Sequence, residues 1–97
     1  MIKFEWDINK EKLNIKNHGV GFDVAVDALR DEYGLEDFDD SHSDFIEYRY
    51  SRIGLSRQGV LFVIYTLRET EEIYRIISAR KAEIGEEILY WEARDEQ

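Results

Sequence analysis

The chain has 97 residues, no cysteine, a hydrophobic fraction of 43% and a formal charge of −9. This length fits a single domain spanning 1–97 with a surface groove rather than a deep cavity, and the missing cysteines exclude disulfides, thiolate nucleophiles and Cys-based zinc or iron-sulfur sites. Taken whole, the charge opposes nucleic-acid binding, and no apolar run approaches the roughly twenty residues of a membrane span.

The aromatic segment Ile2 to Trp6 reads as a short first strand. It carries an acid and no long apolar stretch, so no secretory or transit leader is expected and the expected location is the cytoplasm. Asp7 is placed to cap a helix over Ile8 to Asn17, and Gly19 stands where a left-handed residue ends one. Phe22, Ala25, Val26 and Leu29 recur at helical spacing, leaving Asp23, Asp27 and Arg30 for solvent.

Tyr33 to Phe38 reads as an irregular strand, and Asp39 to Ser43 as a polar connection. Phe45 to Leu55 is aromatic enough for a strand, with Gly54 marking a bulge or its end. Ser56 to Gly59 reads as a hairpin turn, Val60 to Leu67 as a central strand covered on both sides, Glu69 to Glu72 as a second turn, and Ile73 to Ala79 as the return strand. Ile84, Ile88 and Trp91 recur at i, i+4 and i+7, which predicts a last helix over about Ala82 to Ala93. The order β-α-α-β-β-β-β-α, with two consecutive hairpins, implies an α+β fold: an antiparallel sheet packed by helices.

Charge is distributed unevenly. From Arg49 to Lys81 seven basic residues stand against three acidic ones, whereas Asp31 to Glu47 holds eight acids and no Lys or Arg. Such a cationic middle suits phosphate, and the acidic margin suits a basic partner. Arg80 and Lys81 sit between the last strand and the last helix, where a phosphate could also meet free helix amides; a solvated basic turn is the plain reading of the same residues. Arg75 lies five residues before Arg80, so on a regular strand the two point to opposite faces, and only a bulge lets both serve one site. Arg49, Arg52 and Arg68 fit surface ion pairs as well as they fit a site.

His18 and His42 are the only histidines. Asp39, Asp40, His42 and Asp44 have the composition of an oxygen-rich metal loop but match neither calcium nor zinc spacing, so no metal or other cofactor is expected. Ser56 and Ser78 have no His and carboxylate arranged for nucleophilic catalysis, and Gly19-Val20-Gly21 lacks the context of a phosphate loop.

Phe4-Glu5-Trp6-Asp7, Lys10, Asn14, His18-Gly19-Val20 and Phe22 resemble the opening of BrnT-type toxins. The resemblance continues through Asp40, His42-Ser43, Glu47, Arg49, Ile53-Gly54, Gly59, Leu61, Val63, Tyr65-Thr66, Arg68 and the block Arg75 to Arg80, so it spans about Phe4 to Tyr90. It implies a RelE-like fold and a small cytoplasmic bacterial endoribonuclease, held in check by a DNA-binding, BrnA-like antitoxin and touching DNA only through that partner.

Toxins of this kind generally cut RNA without metal, by attack of a 2′-hydroxyl on the adjacent phosphorus. The resemblance then assigns Arg80 and Lys81 to the scissile phosphate, Arg68 and Arg49 to RNA backbone or charge stabilisation, and Lys16, Arg75 and Tyr65 to RNA contacts. The chain departs from the family pattern in several places: Asn17 replaces the Lys before His-Gly, Arg80-Lys81 replaces an Arg-Arg pair, Arg68 and Arg80 stand further apart than is common, and the last helix is acidic. Those departures leave open a catalytically weak module that binds the antitoxin and acts in autorepression. Fold analogy alone adds topoisomerase inhibition as a third reading.

Overall fold

In the computed structural model, residues 2–39, 48–68 and 72–96 are described. Residues 40–43 of the expected polar loop, the start of the expected strand at Phe45 and most of the turn after Arg68 lie outside them. The elements are β1 (Lys3–Glu5), α1 (Ile8–His18), α2 (Phe22–Arg30), β2 (Leu35–Phe38), β3 (Arg49–Ser56), β4 (Gly59–Arg68), β5 (Ile73–Lys81) and α3 (Ile84–Asp95).

 The described residues therefore build an α+β fold of three helices and one five-stranded sheet in the expected order.

Local chemistry explains the element ends. The Asp7 carboxylate accepts from the Asn9 and Lys10 amides at 2.8 and 3.2 Å, and Gly19, at φ 71°, closes α1 by donating its amide to the Ile15 carbonyl. Glu11 reaches over to accept the Phe22 amide at 2.8 Å, so α1 caps the start of α2. Between β3 and β4, the Ser56 hydroxyl donates to the Gly59 carbonyl and accepts the Gln58 amide, and Gly59 takes φ 98°.

The sheet order is β1-β5-β4-β3-β2. β2 to β5 form the expected antiparallel meander, and β1 joins its outer edge parallel to β5, with Phe4 opposite Tyr74. The sheet is thus mixed: α1 and α2 carry the chain away from β1, whose three residues leave no hairpin signal that would reveal their partner.

Phe22, Val24, Ala25, Ala28 and Leu29 of α2 are buried against Leu61, Val63, Tyr65, Ile76 and Ala79 of the sheet. Gly54 is paired with Leu61 in regular register and is neither a bulge nor a strand end. A Cβ there would stand 2.3 Å from the Ala28 carbonyl oxygen, so the glycine is what lets α2 approach β3.

The irregularity is in β5. Ile64 pairs with Ser78 and Tyr65 with Ile76, which leaves Ile77 as an extra residue. Ile76 and Ala79 consequently both reach the core, although three residues apart. The same bulge puts Arg75, opposite Thr66, and Arg80, opposite Phe62, on one face of the sheet.

α1 and α3 attach through polar residues. α1 buries only Asn14, while Ile8, Leu13 and Ile15 are exposed. Asn14 donates to the carbonyls of Val20 and Ala79, each at 2.8 Å, and accepts the Ala79 amide at 3.1 Å. β1 pairs with β5 only as far as Arg75, and beyond that point the Asn14 amide takes the backbone edge. In α3 the stripe Ile84, Ile88 and Trp91 faces outward, with Ile84 81% exposed, and Tyr90 is the buried anchor. The helix expected from that stripe is present, shifted by two residues at each end, but the stripe is not its core face.

Candidate functional site

The face of the sheet opposite α2 carries Arg49 and Ser51 from β3, Phe62 and Ile64 from β4, and Ser78 and Arg80 from β5, by strand alternation from the observed register. These six residues, with Ile77, Asp37, Phe38 and Asp39, line a groove of about 600 Å³. A second groove of about 350 Å³ runs between this face and α1, lined in part by Lys10, Asn17, His18 and Arg49. Arg49, Ile77 and Ser78 line both, so the two form one continuous strip.

Lys10, Asn14, Asn17 and His18 share one side of α1 because they fall at i, i+4, i+7 and i+8. Asn14 locks that side onto Ala79, next to Ser78 and Arg80, and so presents Lys10 and His18 to the strip. Sequence reasoning missed Lys10 and His18 as site residues. Their helical spacing was available, but the packing of α1 on β5 was not.

Arg80 is held in place. Its guanidinium makes a two-pronged contact with Glu86, at 2.8 and 3.0 Å, approaches Glu83 at 3.6 Å and lies over the Phe62 ring at 4.3 Å. The bond to Glu86 raises the Arg80 pKa, and the Arg80 guanidinium holds the Glu86 carboxyl below the usual glutamate range. Glu83 and Glu86 also form a capping box at the start of α3. Two of the amides at that helix start, those of Glu83 and Glu86, are therefore already bonded to carboxylates.

The other expected residues are dispersed. β5 runs through Lys81, which pairs with Leu61 and so falls on the face opposite Arg80. Arg68 and Arg75 both lie 3.5 Å from Glu5, at the β1 end of the same face as Arg80. Lys16 is exposed on α1 and absent from the strip, where Asn17 stands instead. Tyr65 is fully buried, stacked between Tyr50 and Tyr74 with its hydroxyl donating to Glu36, so it is a core residue and not an RNA contact. Arg52 donates to the Asp31 carbonyl at 2.7 Å and ties β3 to the end of α2.

Among the described residues, no three His, Cys, Asp or Glu side chains converge as a metal site, and His42 and Asp44 lie outside those residues. No helix among the described residues is long and apolar enough to cross a membrane.

Residues 6–86 match the family model for the ribonuclease toxin, BrnT, of type II toxin-antitoxin systems. No curated protein matches the chain.

Proposed function

Because the chain belongs to the BrnT family of ribonuclease toxins, we propose that it works as a single RelE-like domain that cleaves RNA in the cytoplasm, along the strip shared by the two grooves. The observation that supports this reading is the continuity of that strip, which brings His18, Lys10 and Arg49 into line with Ser78 and Arg80. RNA backbone laid along it would meet cations from α1, β3 and β5.

The chemistry needs a base, an in-line leaving group and charge stabilisation. The His18 imidazole takes the proton of a ribose 2′-hydroxyl as the general base. The 2′-oxygen attacks the adjacent phosphorus, the bond to the 5′-oxygen breaks, and that oxygen leaves with a proton from solvent or Lys10. The products are a 2′,3′-cyclic phosphate and a 5′-hydroxyl. Arg49 and Lys10 offset the charge of the phosphorane, and Arg80 joins them when a phosphate oxygen replaces a Glu86 oxygen in its fork. Arg68 and Arg75 contact the RNA backbone further along. An antitoxin of the BrnA-like, DNA-binding kind blocks the strip and carries the complex to DNA.

The test is cleavage of an oligoribonucleotide by purified chain in EDTA, beside a strand with 2′-deoxy sugars. Cleavage of RNA alone is expected, with Arg49→Ala and His18→Ala each lowering the rate by about a hundredfold. Equal cleavage of the deoxy strand, or full activity in His18→Ala, would refute the mechanism. Occupation of the Arg80 fork by Glu86, with Asp37 and Asp39 in the groove, favours a second reading as an antitoxin-binding module with little cleavage. No cleavage by well-folded wild-type chain would select it.

A further inference from the structure

α3 is an amphipathic helix turned inside out. Its inward contacts come from Glu86, which grips Arg80; Tyr90, whose hydroxyl donates to Asp31; and Arg94, which lies over the Tyr33 ring. Its outward side carries Ile84, Ile88 and Leu89 at 81%, 51% and 56% exposure, with Trp91 at 39%. A helix that needed only to close the fold would have its apolar stripe on the inside. Ile84, Ile88 and Trp91 line a groove of about 300 Å³ whose remaining lining residues, Glu87, Glu92 and Asp95, are all acidic.

We propose that this outer face of α3 is the docking surface for an amphipathic segment of the antitoxin whose apolar side chains are flanked by Lys or Arg. The inference rests on the toxin-antitoxin reading for the identity of the partner. The charge of the rim selects among occupants. A second copy would set two acidic rims against each other, and RNA or an anionic membrane would meet the same repulsion. A basic amphipathic helix answers both the apolar floor and the carboxylates, in the manner of helix-in-groove recognition.

The test measures binding of the cognate antitoxin to full-length chain by calorimetry, with Ile84→Ser/Ile88→Ser and Glu87→Lys/Glu92→Lys as variants. All four positions are exposed, and circular dichroism checks that the variants fold. The apolar pair of changes should weaken binding by at least about thirtyfold, the loss expected at an interface hot spot. The charge swap should weaken it by about tenfold at low salt and remove its salt dependence. Wild-type affinity in both variants overturns the proposal, as does failure of wild-type chain to bind the antitoxin. A dimer of the chain alone that dissociates in the apolar variant assigns the face to self-association, and wild-type binding to phosphatidylglycerol vesicles assigns it to membrane; either result overturns the proposal. RNA cleavage by the free apolar variant should match wild type, so loss of docking and failure of the nuclease reading are separately visible.

Discussion

Replacing Asn14 with alanine removes the one buried contact of α1 and three hydrogen bonds with it. Each is worth about 1 kcal/mol net, and the partners left behind, two carbonyls and an amide, are shielded from water, so the loss should be about 3 kcal/mol. For a domain of this size that corresponds to a fall in Tm of about 12 to 24 °C. Thermal and urea unfolding of wild type, Asn14→Ala and Asn14→Asp would measure it. The aspartate keeps an acceptor for the Ala79 amide but sets a carboxylate oxygen against the Val20 and Ala79 carbonyls, so it should be at least as damaging as alanine. A loss below about 1 kcal/mol in both variants would refute the argument that polar contacts, rather than apolar packing, hold α1 to the sheet.

The carboxyls of Asp27 and Glu86 lie below their usual ranges chiefly through hydrogen bonds from Arg57 and Arg80; at Asp31, burial pushes upward but bonds from Tyr90, Leu55 and Tyr33 outweigh it. Such groups stabilise the fold above their unfolded pKa and lose that contribution as pH falls through the folded value, so unfolding free energy should drop below about pH 4, and Asp31→Asn should flatten that drop. Gly54→Ala should cost about 3 kcal/mol or prevent soluble expression, read by Tm and yield, because the clash is with backbone and not with a movable side chain. Tyr90→Phe should lower stability by about 2 kcal/mol in urea unfolding, since it removes the bond that α3 makes to Asp31.

The helix ends of α1 and the hairpin at Ser56 to Gly59 were legible because their causes are local: a carboxylate two and three residues before the amides it caps, and glycines at positive φ. The burial of α2 was legible because its stripe is unbroken. Periodicity found α3 but could not tell which way its stripe points, since orientation is decided by Glu86, Tyr90 and Arg94 finding partners far away in sequence. Strand alternation correctly demanded a bulge if Arg75 and Arg80 were to share a face, yet no residue type in that block marks Ile77 as the extra one. Arg49 was singled out by the family resemblance, whereas Lys10 and His18 enter the site only through the placement of α1 on β5.

The extra residue in β5 also bears on how the chain can change length. Removing one residue from a regular strand inverts the facing of every side chain beyond the cut. At Ile77 the opposite holds: its removal would restore strict alternation through Arg75, Ile76, Ser78, Ala79 and Arg80, with both arginines still on the open face. A one-residue deletion there would cost the groove part of its floor while leaving the phase of the strand intact. Length variation in β5 is thus decoupled from the direction in which its cations point.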